Sequence, residues 1–250
     1  MKLGFLHIPR TGGTYLESIL QQLGPEEFIN FFGIPQNQIQ NKIGLIERIE
    51  QDSKIQELLK SNLNWQTCKL FSGHFSHNVK NFIQGDVKFF TILRDPIQRT
   101  TSFIKKVISS KAFVKLLLND GGEIGNDIFW KNFETYIQSE TKVGLMSHER
   151  NGFSNYMTKA IAGCDLSQDN ICVNSDLLEQ AKQNLDNMIY VGIFENYKET
   201  VQNILRLFNL NVEFNSKNLE ISIVPNSTKE LLEEINYYDI QLYNYFINKQ

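Results

Sequence analysis

Hydrophobic and polar positions switch between two periods along this chain. Residues 3–8 form a short apolar run without charge, which predicts a buried strand near the first residue. Residues 9–13 carry Pro, Thr and two Gly, which is loop chemistry. From residue 14 to 23 the period becomes helical, with Leu16, Ile19, Leu20 and Leu23 on one face and Thr14 as cap or first-turn residue. Residues 39–59 repeat the helical spacing, and residues 67–71 predict a second strand ahead of Ser72-Gly73-His74-Phe75-Ser76-His77. The clearest strand is 87–93, Val-Lys-Phe-Phe-Thr-Ile-Leu. It ends at Arg94-Asp95-Pro96, where Pro96 suits the first position of a helix over 97–108.

Further helices are predicted over 113–118, 128–137, 177–188 and 197–208, a loop over 119–126, a short strand over 189–193, and one long closing helix over 229–247. Strands alternating with helices imply an α/β fold with a mostly parallel sheet covered on both faces. No internal repeat or low-complexity linker interrupts the 250 residues, so residues 1–250 read as one domain.

Composition narrows the classes. A 41% hydrophobic content with 18 Phe and 9 Tyr supports a substantial core. A net charge of −3 argues against general nucleic-acid or anionic-membrane binding, which needs a basic surface. Cys68, Cys164 and Cys172 are odd in number and form no CxxC pair, which disfavours a disulfide framework or a Cys-rich metal site and suits a reducing compartment. The first apolar stretch is too short for a signal peptide or membrane helix, and no later run is long enough to span. The expected location is cytoplasmic, with the sequon Asn226-Ser227-Thr228 unmodified.

Three segments carry chemistry. His7-Ile8-Pro9-Arg10-Thr11-Gly12-Gly13-Thr14 reads as an anion cradle. Its glycines permit close backbone approach, the following helix directs N–H groups and its positive dipole end at the same point, Arg10 adds a charged fork, and Thr11 and Thr14 add hydroxyls. It lacks the GxxxxGK[ST] pattern, and an ordinary strand-to-helix turn is the bland alternative. In the second segment, strand 87–93 delivers Arg94 to its carboxyl end, and Ser102 follows two helical turns on. An Arg and a Ser hydroxyl converging there suit a second phosphate, unless Arg94 pairs with Asp95 or a helix end. In the third, His74 lies in a loop after a strand and is a candidate general base, while His77 reads as structural. Lys105-Lys106 reads as a solvated helix face, and Tyr237, Tyr238, Tyr243 and Tyr245 as packing.

In order, these segments resemble the carbohydrate-directed (Golgi-type) sulfotransferases and their bacterial relatives. The loop at 7–14 is similar to that family's HIPKTGGT-like grip on the 5′-phosphosulfate of the donor PAPS. Leu93, Arg94, Asp95, Pro96, Arg99, Ser102 and Phe103 match its LRDPxxRxxSxF-like grip on the 3′-phosphate. Gly73-His74-Phe75 resembles the branch with a histidine base, such as heparan sulfate 2-O-sulfotransferases. Weaker likenesses follow at Asn155-Tyr156-Met157-Thr158-Lys159-Ala160-Ile161-Ala162-Gly163, at 191–195, and at Asn226-Ser227-Thr228, which corresponds to a late loop closing over the nucleotide.

The resemblance implies a P-loop-like three-layer sandwich and transfer of a sulfuryl group from PAPS to an acceptor hydroxyl, on a carbohydrate or small metabolite, without a metal. It implies His74 and Arg10 as catalytic groups. His7, Arg10, Thr11, Gly12, Gly13, Thr14, Tyr15, Arg94, Ser102, Ser227 and Thr228 would contact the donor or its product PAP. Where the family usually has Lys, this chain has Arg10, which stabilises a leaving phosphate by charge and does not readily give up a proton. Glu17 is the second candidate base. A P-loop-type kinase and a non-catalytic PAP(S)-binding protein share the strand–loop–helix opening and remain alternatives.

Overall fold

The computed structural model describes residues 1–24, 27–30, 68–83, 85–110, 124–138, 150–166, 168, 171–210, 212–214 and 223–250. The helices expected at 39–59 and 113–118, and most of the loop at 119–126, lie outside these residues.

The strands are β1 (Lys2–Leu6), β2 (Phe28–Asn30), β3 (Leu70–Gly73), β4 (Val87–Leu93) and β5 (Tyr190–Ile193). They form one five-stranded sheet in the order β2-β3-β1-β4-β5, every neighbouring pair parallel. Eight α-helices flank it among the described residues: α1 (Gly13–Leu20), α2 (Pro96–Ser110), α3 (Asp127–Gln138), α4 (Tyr156–Ala162), α5 (Ser175–Asp186), α6 (Tyr197–Leu207), α7 (Asn226–Ile235) and α8 (Tyr237–Ile247). The expected α/β sandwich is what the chain forms.

Strand alternation divides the core. Leu3, Phe5, Leu70, Phe90 and Ile92 face Leu16, Ile19 and Leu20 of α1 and Val201, Ile204 and Leu205 of α6. The intervening residues Leu6, Phe71, Phe89 and Leu93 face Met157, Ala160 and Ile161 of α4, Leu178, Ala181 and Leu185 of α5, and Leu242 of α8. A separate cluster joins α2, α3 and α7 through Ile104, Ile108, Trp130, Phe133 and Leu232. Among the described residues no helix is long and apolar enough to cross a membrane.

Strand β4 and the Pro96 start of α2 fall where the pattern placed them. Four features differ. The short strand β2 and the helix α4 were not anticipated. The single closing helix is two helices, because Asn236 leaves helical geometry (φ −111°, ψ 23°) and turns its side chain across the molecule. There its amide donates to the carbonyls of Phe153 and Leu232, and its oxygen accepts from the Asn155 N–H and the Thr100 hydroxyl. Residues 226–228, expected in a loop, open α7.

The chain enters the sheet at β1, runs to the β2 edge, returns through β3, and then passes over to β4 on the other side of β1. The winding direction reverses at the carboxyl ends of β1, β3 and β4, and parallel α/β sheets bind ligands in the crevice outside such points.

Candidate active site

All three chemical segments end at this crevice: the loop after β1, His74 after β3, and Arg94 after β4. The loop after β1 is sharply bent. Arg10 (φ 73°) and Gly12 (φ 85°) both adopt the left-handed region, which a non-glycine residue enters at a cost of about 1–2 kcal/mol. Hydrogen bonds hold it there. Arg94 Nη1 donates to the Arg10 carbonyl at 3.0 Å, and Arg10 Nε donates to Ser102 Oγ at 3.0 Å. The Thr11 hydroxyl donates to the Ile8 carbonyl at 2.8 Å, and the Tyr197 hydroxyl to the Gly12 carbonyl at 2.6 Å. The two motifs read as separate phosphate grips are therefore joined through Arg10, Arg94 and Ser102.

The glycines have a second reason to be here. A Cβ on Gly12 would stand 2.4 Å from the Tyr197 ring and 2.9 Å from that of Phe194, and one on Gly13 would stand 2.2 Å from the His7 ring. Their lack of a side chain lets Tyr197, Phe194 and His7 buttress the loop.

Arg94 is buried beside the Phe194 ring, its guanidinium carbon 4.5 Å from the ring centroid, in range of a cation–π contact. Its Nε is buried with no hydrogen-bond partner among the described residues. Burial pushes its pKa below the ordinary value, the nearby Glu195 pushes it back up, and Arg10 lowers it; as an arginine it stays charged. Asp95 does not compete for it as a hydrogen-bond partner. Its Oδ1 caps α2 by accepting the Gln98 N–H at 2.9 Å, and its own N–H donates to Glu195 Oε1 at 3.0 Å.

His74 is half-buried, its ring 4.4 Å from that of His7 and nearly perpendicular to it (75°). His7 itself lies beneath the loop rather than in the open crevice. It is buried, stacks on Phe5, and its Nδ1 is 2.9 Å from Glu17 Oε1. Glu17 is also buried and accepts the Ser72 hydroxyl.

Several expected contacts look elsewhere. The Thr11 hydroxyl proton is committed to the Ile8 carbonyl. Thr14 is exposed in the first turn of α1, and Tyr15 stands half-buried, 6.4 Å ring to ring from Tyr197. The Ser227 and Thr228 hydroxyls both donate to Glu134 Oε1, at 2.9 Å and 2.5 Å, so in this conformation they serve a carboxylate and not a phosphate. Arg99 is fully buried, bound to the Gly152 carbonyl and the Thr100 hydroxyl, away from the crevice. Tyr243 and Tyr245, expected to be packing, donate their hydroxyls to Glu195 and Asp186. His77, read as structural, is buried against Phe89, and burial, aided by Lys80, lowers its pKa to about 4.

Sequence reasoning missed Phe194 and Tyr197, which enter the site from the end of β5, and did not foresee that Glu17, its second candidate base, is buried against His7 and Ser72. Among the described residues no group of three or more His, Cys, Asp or Glu side chains is placed to hold a metal.

A family model described as Sulfotransferase family matches residues 1–246. A search of curated proteins returns no match.

Proposed function

The chain belongs to the sulfotransferase family, and on that premise we propose that it transfers the sulfuryl group of PAPS to an acceptor hydroxyl, on a saccharide or small metabolite, using residues 1–250 as one catalytic domain. The observation that carries the reading is the Ser102–Arg10–Arg94 linkage at the carboxyl ends of the sheet. It gathers two fixed positive charges and a hydroxyl at the mouth of a helix, a set suited to a donor with phosphates at both ends of its ribose.

In this reading the N–H groups of Gly12, Gly13 and Thr14, with Arg10, hold the phosphosulfate. Tyr15 lies alongside, and Arg94 and Ser102 hold the 3′-phosphate. Arg10 and Ser102 exchange their mutual hydrogen bond for phosphate oxygens when the donor arrives. Sulfuryl transfer makes the same demands as phosphoryl transfer: in-line geometry, a positioned nucleophile and a stabilised leaving group. The acceptor O–H proton passes to His74 as the acceptor O–S bond forms. The bond between sulfur and the 5′-phosphate oxygen breaks, and its electron pair leaves with PAP, whose new charge faces Arg10 and the helix N–H groups. His74 then loses the proton to solvent. Ser227 and Thr228 approach the nucleotide in this scheme by giving up Glu134. We place the reaction in the cytoplasm, in keeping with the cysteine pattern.

A thermal-shift comparison followed by turnover tests the proposal. PAP raises the melting temperature and Mg-ATP does not, and PAPS is converted to PAP in the presence of a hydroxyl acceptor from a saccharide panel. Stabilisation by Mg-ATP but not PAP would instead indicate a kinase. PAP binding without PAPS consumption by any acceptor would indicate a sensor.

A further inference from the structure

The buried pair under the phosphate loop takes no part in gripping the donor, and its surroundings tie it to the proton transfer. We propose that Glu17 and His7 are positioning residues acting through His74: Glu17 fixes the tautomer of His7, and together they orient the His74 ring and supply the negative charge that offsets the proton it receives. This rests on the reading of His74 as the base.

Strand register brings the groups together. Ser72 of β3 lies opposite Phe5 of β1, and Phe5 lies opposite Phe90 of β4. Side chains alternate along a strand, so the next residues on that face are His74 and His7. The His7 N–H donates to the Gly73 carbonyl at 3.0 Å and continues the pairing one step past the strand. The His7 ring is nearly parallel to Phe5 (5.3 Å, 8°), which is nearly parallel to Phe90 (5.0 Å, 9°). His74 meets the imidazole edge to face. Helix α1 packs on this same face, and Glu17, next to Leu16 and one turn from Leu20, is buried against His7 and Ser72.

An ionised carboxylate only accepts, so with Glu17 in that form the 2.9 Å contact places the proton on His7 Nδ1 and the lone pair on Nε2. The Nε2 edge lies against the start of α1, where a Gly13 Cβ would come within 2.3 Å of it. With both imidazoles neutral, Glu17, His7, Ser72 and His74 carry one negative charge. When His74 takes the acceptor's proton, that charge becomes balanced. A buried carboxylate behind an imidazole performs this orienting and charge-balancing task in serine hydrolases, there through one ring and here through two. Among the described residues the charged groups around the crevice are Arg10 in the loop and Arg94 at the end of β4, whose positive charges act against protonation of His74, with the carboxylates of Asp95 and Glu195 beside Arg94 acting the other way; the Tyr15 and Tyr197 hydroxyls stand at the loop. His77 packs on Phe89, on the opposite sheet face.

Long-range proton–nitrogen NMR of histidine-labelled protein tests this without an acceptor, since the four histidines are assignable by substitution. Wild-type His7 should show the Nδ1–H tautomer, read with or without PAP. Glu17→Gln preserves shape and an acceptor oxygen but removes the charge. In this variant the His74 titration and the acid limb of the PAPS-turnover profile should both move to lower pH, and turnover should fall about 10- to 100-fold. PAP affinity by calorimetry should stay within about twofold, because neither residue grips the donor. An Nε2–H tautomer of His7, or a His74 titration and pH profile identical in the two proteins, overturns the proposal. Ser72→Ala provides a second variant if Glu17→Gln fails to fold, and should shift the His74 titration the opposite way by leaving the carboxylate less satisfied. Failure of wild-type protein to bind PAP would reject the donor assignment, while the tautomer would still decide the role of Glu17.

Discussion

Gly12 shows how a single missing side chain serves the site. Its φ of 85° alone would cost an alanine about 1–2 kcal/mol. A methyl group there would also collide with the Tyr197 ring at 2.4 Å and displace the hydroxyl that holds the Gly12 carbonyl. Gly12→Ala is therefore expected to lower stability by about 1–3 kcal/mol and PAP affinity at least about tenfold, as read by denaturant unfolding and calorimetry. The glycines and the arginine were visible in sequence, but the reason for Gly12 was not, because the ring that requires it lies 185 residues away. Glu17 was visible in sequence as the second candidate base; its burial against His7 and Ser72 depends on register between strands that local pattern does not encode. His77 supplies a prediction of the opposite kind, about stability alone. Its pKa is about 4 in the folded chain against an ordinary 6.5, so between those values the unfolded chain binds a proton that the folded one refuses. Its contribution is complete above about pH 6.5 and is lost as pH falls toward 4, by up to about 3 kcal/mol. His77→Phe should flatten that part of the stability–pH curve in urea titrations.

At the scale of elements, the molecule depends on helices tied together by polar side chains. Helix α4 has seven residues, too few to persist alone, and begins after Asn155 in the left-handed region (φ 46°). Asp239, in the first turn of α8, accepts the N–H groups of Met157 and Thr158 and the Thr158 hydroxyl. Asn155 returns the favour by accepting the N–H groups of Tyr238 and Asp239. Each helix start thus caps the other, and the break at Asn236 is what lets α8 begin here. Asp239→Ala would strand three buried donors and is expected to cost about 2–4 kcal/mol in urea unfolding. The segment from Asn155 to Gly163 resembles a family motif, and in the structure its Thr158 and Lys159 are buried. The long closing helix was misread for a related reason. No Pro or Gly marks the break, and the residues that stabilise it, Thr100, Phe153 and Asn155, are distant in sequence. Strand β4 was legible because every determinant is local: an apolar run, then Asp95 and Pro96 as cap and first helical residue.

Over the whole molecule, the proposed reaction requires a chain of net charge −3 to gather a polyanion at a locally positive crevice. It does so by bringing Arg10, Arg94 and Ser102 together from segments 84 and 92 residues apart. Such a site exists only in the folded state, so donor binding and folding are linked: at 100 times its dissociation constant, PAP should add about 2.7 kcal/mol to the unfolding free energy. The two grips can be separated by chemistry. AMP carries the 5′-phosphate alone, so comparing PAP with AMP isolates the 3′-phosphate, whose partners in this reading are Arg94 and Ser102. Arg94→Ala also removes the hydrogen bond to the Arg10 carbonyl, so some loss for both ligands is expected from loosening of the loop. Ser102→Ala leaves that bond in place and removes a hydroxyl together with the bond it accepts from Arg10 Nε, which in the proposed scheme the arriving donor displaces anyway. The wild-type preference for PAP over AMP should therefore shrink by about tenfold in Ser102→Ala, with AMP affinity nearly unchanged, and shrink further in Arg94→Ala. Raising salt should weaken PAP more than AMP in the wild type and by more similar amounts in Arg94→Ala, because screening acts on the charge pair that the substitution deletes. Equal losses for PAP and AMP in both variants, by calorimetry, would mean that Arg94 and Ser102 only brace the loop and that the 3′-phosphate is read by other residues.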